Sequence, residues 1–587
     1  MKNSASKVNP LNRREFLVNV STVSAVVAAG GVLSACSDGV PMPVEFNYGV
    51  ASGDPLADRI ILWTHAKYQS STEPVALSYQ VSNDAAFTSI VTSGVLTASA
   101  DTGYTAKVDA TGLSAGKTYF YRFFSGRSIS SVGQTRTLPA ANTTEVTFSV
   151  FSCADYPLGF FNAYAEAAKR DSHFAIHLGD YIYEYGTGTA PTDPVILNLK
   201  RYADHAKEIL SLDDYRKRHA LYKSDPDSKV FHAKMPLIAV WDDHEVSNDS
   251  YKDGAQAHDP ATDGVYTVRR AAGLQAFHEW MPIRTDSDKT KIYRSFDFGS
   301  LVSLHMLETR HIARDKQIQI TELAGLAGAE KQASAYAEYI RADRQMLGAT
   351  QLAWLQQKMA TSQATWQVLG QQVLMARMES PASVLSKLNG DSRDPTAQQQ
   401  GLDAITAYLT AKGKKAAGAS LTAEESALLN TSVNPKLGYN LDAWDGYIVA
   451  REVVLASALQ LNKKLISLAG DTHNGWHSDL TLMGLSNPAL ANLKVGEEFA
   501  TPGVSSGGFE EYLPAFTPAQ VKYLFENIVD DLRWLNPSQR GYLKMTFTAT
   551  EAKGEWIFVN QVLSRTYTAE IGHTAPFRAA SKAVTPD

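Results

Sequence analysis

Four short stretches of the chain place residues that can bind metal ions directly after apolar runs. In chain order they are residues 151–155, 177–185, 240–245 and 468–477. An apolar run that ends in Gly-Asp or in other polar residues is typical of a buried strand followed by a loop. In open α/β sheets the reactive groups lie at the carboxyl ends of the strands. The four stretches together therefore predict a single site to which several strands contribute metal ligands.

The strand ends carry different types of ligand. The first offers the thiol of Cys153, and the second offers Asp180 with Tyr183 close behind. The third is Asp-Asp-His-Glu at 242–245, and the fourth includes Asp471 and His473. Thiolates, phenolates and imidazoles suit transition metals, whereas carboxylates suit hard cations such as calcium.

Single residues in this set also have ordinary explanations. Cys153 could be a small buried apolar residue, and Tyr183 could pack with the neighbouring tyrosines. His473 and His477 are four positions apart and could bind a metal from one helical face, but His477 could equally be a supporting residue. Asp242 could be an outer hydrogen-bond acceptor or a cap at the end of the strand. The order, spacing and strand-end placement of the whole set favour the metal site.

Three more charged residues are candidates for a role nearby. Arg310 follows another predicted strand and could hold a phosphate with two hydrogen bonds, or it could form a structural ion pair. Asp442 and Asp445 lie before a predicted helix, where residues of a turn would be expected.

The elements that must position these residues are predicted by the apolar pattern. Buried strands that end in polar loops and are followed by helical stretches indicate an α/β domain; these strands are 146–151, 174–178, 237–241, 301–307, 366–369 and 464–469. Two last strands, 542–548 and 555–563, are predicted to close the second sheet of a sandwich. Segment 383–430 is polar and Ala-rich, and we interpret it as an insertion that is partly helical and partly loop.

Residues 46–138 have a different pattern of short alternating strands separated by Gly, Asn, Asp and Ser. This pattern predicts a small β-sandwich, and residues 113–122 resemble the strand entry of a fibronectin type III module.

Composition excludes some classes of function. The chain has 587 residues and a formal net charge of −6, without a long basic run. It therefore lacks the electrostatic signature of a protein that binds nucleic acid specifically. Only two cysteines are present, Cys36 and Cys153, and the first lies in a predicted targeting segment, so a disulfide framework is not expected.

The N-terminus is typical of an export signal. A twin-arginine motif at 12–17 precedes an uncharged apolar run at 18–33. Residues 33–36, Leu-Ser-Ala-Cys, resemble a lipobox whose cysteine, Cys36, would carry a lipid anchor. A short uncleaved anchor or plain cleavage nearby are the alternatives. We expect transport by the twin-arginine (Tat) machinery to the periplasm or the cell surface.

The motifs carry a family resemblance. Strand-GDxxY, strand-xDHE and strand-GDxH in this order resemble the calcineurin-like metallophosphatases, which include the purple acid phosphatases. The Cys153, DDHE and GDTHNGWH versions are similar to the PhoD-like alkaline phosphatases, and the similarity extends from Tyr48 to the last strands. The resemblance implies a four-layer α/β/β/α domain preceded by the small fibronectin type III-like domain. The predicted segments are a signal at 1–36, the β-sandwich at 44–140, the catalytic domain at 145–567 with its insertion, and a tail at 568–587.

The resemblance also implies a set of site residues. Asp180 matches the aspartate that bridges two metals, and a shared carboxylate would reduce the repulsion between two cations. Cys153, Tyr183 and His473 would complete an Fe³⁺ site, and Asp243 and Asp471 would face Ca²⁺. Where the purple acid phosphatases have a histidine, residues 368–372 end in Gln371 and Gln372, of which an amide oxygen could be a ligand.

The expected reaction is hydrolysis of phosphate monoesters, diesters or both by a metal hydroxide. His244 would donate to the phosphoryl oxygens or protonate the leaving alkoxide, and Arg310 would clamp the phosphate. One alternative is a dedicated phosphodiesterase that acts on extracellular nucleic acid or on polymers such as teichoic acid. Another is a surface-anchored binding protein without catalysis.

Overall fold

The computed structural model describes residues 42–187, 197–326, 328–388 and 395–578. The predicted export signal, residues 1–36, lies outside these ranges. From Pro43 the chain forms one compact unit. Within the described ranges, none of the helices combines the length and the apolar character that a bilayer span requires.

The first of two large sheets has nine strands and a parallel centre. In sheet order its strands are β25 (Ala569–Arg578), β24 (Glu551–Val559), β23 (Gly541–Phe547), β11 (Val146–Phe151), β12 (Phe174–His177), β13 (Leu237–Ala239), β2 (Val50–Gly53), β3 (Arg59–His65) and β7 (Thr105–Thr111). Strands β11, β12 and β13 pair in parallel and are fully buried. Their carboxyl ends, and the loops that follow them, therefore lie along one edge.

The prediction for the last strands was wrong in one respect. Strands β23 and β24 exist, but they join the first sheet rather than the second, and β23 pairs antiparallel with β11 from Val146↔Phe547 to Val150↔Leu543. The physical reason is that β11 has β12 on one side only, so its other edge would expose unpaired backbone groups. The segment that was predicted to be a tail, residues 568–587, contains β25, which pairs with β24.

The second large sheet has seven strands, of which the central ones are also parallel. In sheet order they are β14 (Arg294–Phe298), β15 (Val302–Met306), β16 (Trp366–Gly370), β19 (Lys464–Ala469), β21 (Lys494–Ala500), β20 (Gly475–Thr481) and β22 (Leu532–Asn536).

Helices follow many of these strands along the chain. In chain order they are α1 (Asn162–Lys169), α2 (Leu212–Ser224), α3 (Pro226–Lys234), α4 (Pro260–Asp263), α5 (Tyr266–Trp280), α6 (Ile320–Leu323), α7 (Ala329–Tyr339), α8 (Gly348–Thr361), α9 (Ala382–Leu388), α10 (Pro395–Ala416), α11 (Ala423–Leu429), α12 (Ile448–Gln460), α13 (Phe509–Tyr512) and α14 (Pro518–Ile528). Helices α9, α10 and α11 account for much of segment 383–430. The short strands β17 (Glu379–Pro381) and β18 (Lys436–Gly438) pair at its two ends.

Two apolar cores define the layers. One core joins side chains of both large sheets, such as Val150 and Leu304, with side chains of α1 and α5. The other joins the seven-stranded sheet, through Leu465, to α8 and α12, through Leu355 and Leu455. The two sheets thus pack face to face with helices outside each. This confirms the predicted four-layer α/β/β/α arrangement.

An all-β segment precedes these layers, as predicted. A five-stranded sheet consists of β10 (Gly133–Arg136), β8 (Thr118–Ser125), β5 (Val75–Ser82), β6 (Ile90–Ala98) and β9 (Ser128–Ile129), and β1 (Val44–Glu45) pairs with β4 (Lys67–Tyr68). Ile60 and Leu62 of β3 pack against Val81 and Phe123 of this sheet. Because β3 belongs to the nine-stranded sheet, the small sandwich shares strands with the catalytic layers.

Candidate active site

The loops after β11, β12, β13 and β19 bring the predicted ligands together in three overlapping groups. Within each group the ligand atoms lie within 4.8 Å of one another. The groups are Cys153, Asp180 and His473; Asp180, Asp243 and His244; and Asp242, Asp243 and Asp471. Asp180 belongs to two groups, and Asp243 also belongs to two. Shared carboxylates of this kind are what a site for more than one metal ion requires.

Four of these residues have a left-handed backbone conformation. The φ angles are 59° at Cys153, 53° at Asp180, 66° at Asp471 and 64° at His473. This conformation is uncommon for residues with a Cβ atom and costs about 1–2 kcal/mol each. The strand ends therefore turn sharply toward the site, and the surrounding contacts must hold them there.

Glu245 is one of the residues that hold these loops. Its buried carboxylate accepts hydrogen bonds from the backbone N–H groups of Asp180 (3.0 Å), Tyr181 (2.6 Å) and Asp242 (2.6 Å). It therefore ties the loop after β12 to the loop after β13. Gly179 allows the two loops to approach, because a Cβ atom there would lie 2.3 Å from Cβ of Asp242. The sequence analysis missed the role of Glu245, although the residue was visible in the motif.

Tyr183 joins the first group of ligands. Its hydroxyl donates to Oδ2 of Asp180 at 3.1 Å and lies 3.2 Å from Nε2 of His473. Ser506 donates to the Tyr183 oxygen at 2.8 Å. His473 Nδ1 lies 2.5 Å from the carbonyl oxygen of Gly507, which fixes Nδ1 as the protonated nitrogen and leaves Nε2 as the ligand atom.

Buried oxygens without partners indicate that the residues fit metal ions. Asp180 Oδ1, Asp242 Oδ2 and Asp243 Oδ1 are buried and accept no hydrogen bond. Burial raises the pKa of Asp180 well above its usual value, and Asp243 and Asp242 raise it further, while the nearby His244 offsets only part of the effect. Buried carboxylates need a partner, and a cation would satisfy these oxygens. The donor set is chemically appropriate for metal ions, with a thiol, a phenol and an imidazole on one side and carboxylates on the other.

His244 faces the same space and is oriented by a carboxylate. Its Nδ1 lies 2.7 Å from Oε2 of the buried Glu184, whose other oxygen accepts the backbone N–H of Asn248 at 2.6 Å. The rings of Tyr183 and Tyr185 lie 4.2 and 5.1 Å from the imidazole. Burial lowers the pKa of His244, but Glu184 and Asp180 outweigh it and raise the pKa well above its usual value. Glu184 is a second residue that the sequence analysis missed.

The structure does not place Arg310 where it could clamp a phosphate. Its guanidinium is fully buried and pairs with Asp242, with Asp442 at 2.6 Å and with Asp471 at 2.8 Å. Every nitrogen of the side chain therefore faces a carboxylate. This geometry corresponds to the ion-pair alternative, and Arg310 positions the acidic residues of the site. Asp442 is its partner, which gives this aspartate a structural role that its sequence did not reveal.

The two glutamines after β16 are occupied elsewhere. Gln371 donates to Ser467 at 2.9 Å, and Gln372 donates to the carbonyl oxygen of Trp241 at 2.7 Å. The oxygen of Gln371 accepts from Trp444 at 2.6 Å, and that of Gln372 accepts from Thr309 at 2.6 Å. Both amides therefore support the framework.

Two other candidates lie apart from the ligand groups. His477 contacts Glu497 at 2.9 Å and stacks on Phe499, with ring centroids 4.9 Å apart. Asp445 accepts the backbone N–H of Met378 at 2.8 Å, and burial together with Glu379 raises its pKa to about 8. Both residues support the structure around the site.

A cavity of about 560 Å³ opens above the ligands. One side is lined by strand-end residues that include Asp180, Asp243, His244, Asp471 and His473. The opposite side is formed by α9, α13 and α14, with the aromatic side chains of Phe509, Tyr512 and Phe525 and that of Tyr439. The ligand groups therefore face an aromatic wall across the cavity.

Comparison with known proteins decides the family. The PhoD-like phosphatase family matches residues 148–556, and the family of its N-terminal domain matches residues 34–139. The chain belongs to the PhoD-like phosphatase family. It is 30% identical over 575 residues, or 95% of this chain and 86% of the relative, to alkaline phosphatase D of Bacillus subtilis (strain 168). A solved structure of PhoD superposes with a TM-score of 0.71 at 27% identity and covers 94% of both chains.

Family membership gives the site its chemical class. The chain is a hydrolase and a homologue of alkaline phosphatase D. The resemblance that the motifs predicted is confirmed, and the interpretation as a binding protein without catalysis is not supported.

Proposed function

We propose that this PhoD-like phosphatase is an exported, metal-dependent phosphoesterase that hydrolyses phosphate monoesters, diesters or both. The observation that carries the proposal is the position of Asp180. Its carboxylate belongs to two ligand groups of different chemistry, and its Oδ1 is buried without a hydrogen-bond partner. A phosphate ester placed between these groups would meet positive charge on both sides when metals are bound.

The donor types support Fe³⁺ on one side and Ca²⁺ on the other. Cys153, Tyr183 and His473 would hold iron, because thiolate and phenolate ligands suit a strongly polarising ion. Asp243 and Asp471 would hold calcium, with Asp180 shared. Bound ions would lower the pKa of an attacking water and stabilise the negative charge of the phosphoryl oxygens.

His244 would serve the leaving group. Because Glu184 occupies Nδ1, the imidazole presents Nε2 to the cavity, and its raised pKa favours the protonated form. A protonated Nε2 can donate to a phosphoryl oxygen or pass its proton to the leaving alkoxide. The adjacent rings of Tyr183, which is tilted, and of Tyr185, which is edge-on, limit its movement.

Export is the second part of the proposal. The twin-arginine motif at 12–17 and the lipobox-like residues 33–36 support Tat transport to the periplasm or cell surface, with a lipid anchor at Cys36. Mass spectrometry of the protein from membranes would identify a lipid on Cys36, and Cys36→Ser would release the protein from the membrane. A processed N-terminus elsewhere, without a lipid, would exclude the anchor.

The test of the catalytic part compares p-nitrophenyl phosphate with bis-p-nitrophenyl phosphate. The mature protein is assayed with calcium, with a chelator, and as the Asp180→Asn variant, since Asn tolerates a left-handed backbone. Calcium-dependent turnover that is lost in the variant is the expected result. The ratio of the two rates decides whether the enzyme is mainly a monoesterase or a dedicated phosphodiesterase. No turnover of either ester by the metal-loaded protein would refute the proposal.

A further inference from the structure

The cavity above the ligand groups has an unusual balance of charge. Six carboxylates line it, those of Asp180, Asp243, Asp249, Asp442, Asp471 and Glu511. Among the described residues that line it, none is a lysine or an arginine. Sites that bind polyphosphates or nucleic acids normally supply such side chains for each additional phosphate.

Arg540 pairs with Glu510 and lines a neighbouring pocket together with Glu511, so it offsets part of the negative charge on this side. Two further guanidinium groups lie near the ligand groups. Arg310 and Arg314 are fully buried behind the acidic loops, and both pair with Asp442. Their charge is thus used within the protein, and neither is exposed to a substrate. Metal ions would neutralise the ligand carboxylates, but Glu511 lies outside the ligand groups and is exposed near the cavity entrance.

The wall beside Glu511 is aromatic. The rings of Tyr439, Phe509 and Phe525 lie within 4.9 to 6.1 Å of one another. Tyr512 follows Glu511 in α13, and 58% of its surface is exposed. Aromatic faces bind apolar groups by burial of surface and bind organic cations through their quadrupole, and a nearby carboxylate strengthens the second effect.

We propose that this cavity selects esters with a single phosphate whose organic group is uncharged or cationic, and that it discriminates against organic groups with further negative charge. The inference rests on the proposed phosphoesterase function, and it names the class of substrate for that site. It also separates the candidates left open by the sequence, because nucleic acids and anionic polymers would be poor substrates.

The test uses three substrates whose alcohol groups have similar length and are cationic, uncharged or anionic. Phosphate esters of choline, butanol and 4-hydroxybutyrate are made both as phosphomonoesters and as p-nitrophenyl diesters. The kcat/KM values of the three esters are then compared within whichever series the enzyme hydrolyses. For the metal-loaded protein we expect the choline ester to exceed the hydroxybutyrate ester by about 10-fold or more, at low ionic strength. The butyl ester should lie between them or equal the choline ester.

Two variants locate the discrimination. Glu511→Lys should reverse or abolish the preference for the choline ester, whereas Glu330→Lys, on the exposed surface of α7, should leave the ratio as it is. With a methyl ester added to the series as a reference, Tyr512→Ala should reduce kcat/KM for the butyl ester about threefold relative to the methyl ester. Both substituted side chains are exposed, and thermal unfolding checks that the variants fold.

The outcomes distinguish the two proposals. Equal kcat/KM values for the three charges, or an unchanged ratio in Glu511→Lys, would overturn the inference about selectivity while the phosphoesterase function stands. Absence of turnover for both series and for p-nitrophenyl phosphate would overturn the function itself, and with it this inference.

Discussion

The two sides of the active-site cavity are built by different kinds of interaction. The strand-end side depends on buried charge. Arg310 forms ion pairs with several carboxylates, and Glu245 accepts hydrogen bonds from backbone N–H groups of two loops. The helical side depends on apolar packing, in which Phe509 and Phe525 belong to the core beneath α13 and α14.

The difference shows which changes each side tolerates. A buried carboxylate that loses its partner is costly, so the strand-end side has few alternative arrangements. Apolar contacts are not directional, and substitutions of similar volume are usually tolerated. The chemistry of the site should therefore be fixed, while the shape of the wall, and hence the choice of organic group, can vary. Four substitutions test this contrast.

The largest effect is expected for Asp180→Asn. The change removes the charge shared by two ligand groups, and kcat should fall on the order of 10⁴-fold, because metal ions supply several kcal/mol of stabilisation. Metal analysis of the purified variant should show loss of bound ions, with the fold retained by circular dichroism. Asp101→Asn, at an exposed position, is the matched control. A variant that keeps its metals and its rate would remove Asp180 from the site.

A large loss of stability is expected for Arg310→Met. The variant leaves Asp242 and Asp471 without their buried partner, while Asp442 keeps Arg314, and the loss should cost about 3–5 kcal/mol in the free energy of unfolding near pH 7. Burial raises the pKa values of Asp242 and Asp471 in the folded protein and Arg310 lowers them in part, so without this cation both values rise further. The deficit should therefore shrink as the pH falls through the folded pKa values.

Urea unfolding at pH 5 and pH 8 measures this effect for Arg310→Met. The control is Arg59→Met, whose partner Asp58 is exposed and whose loss should cost less than about 1 kcal/mol. Equal stability of the two variants would contradict the view that buried charge holds the strand-end side.

His244→Gln should lower kcat about 10²-fold with little change in stability. If the imidazole protonates the leaving group, the loss should be greatest for alkyl phosphates and smallest for p-nitrophenyl phosphate, whose leaving group needs no proton. Glu184→Gln keeps a hydrogen-bond acceptor for Nδ1 and should lose only about 10-fold. A loss that is the same for all leaving groups would argue that His244 only binds the phosphoryl oxygens.

The smallest effect on activity is expected for a substitution in the apolar core behind the aromatic wall of the cavity. Val521 lies in α14 within the apolar core and does not line the cavity. Val521→Ala should cost about 1–2 kcal/mol in unfolding free energy and leave kcat within a factor of two. A large fall in kcat, measured with p-nitrophenyl phosphate, would show that the wall and the strand-end side are more tightly coupled than the contacts indicate.

The residues of the strand-end side were predicted from the sequence better than those of the helical side, for physical reasons. Ligand types at the ends of buried strands leave a local signal, so Cys153, Asp180 and Asp471 were found together. Arg310 has the same local pattern whether it faces a phosphate or carboxylates, and only the structure distinguishes these. The aromatic residues of α13 and α14 follow the periodicity of any core helix, so their place beside the cavity was not predictable.

The sheet that the last strands join could not be predicted from local sequence patterns either. Alternation along β23 specifies which face is buried, but it does not specify which of two sheet edges the strand will join. The α/β organisation was predictable because buried strands alternate with helices along most of the chain, and the four layers were expected from the family resemblance.

The pairing of β11 with β23 has a consequence for synthesis of the chain. Val146, at the start of the strand that leads to Cys153, pairs with Phe547, so this edge of the catalytic sheet stays open until Phe547 has left the ribosome. A nascent chain must keep this strand, which has one unpaired edge, from aggregating during that interval. Cotranslational folding can therefore complete the N-terminal strands early, but the catalytic sheet closes only after translation has passed β23, and such long-range pairing is slow.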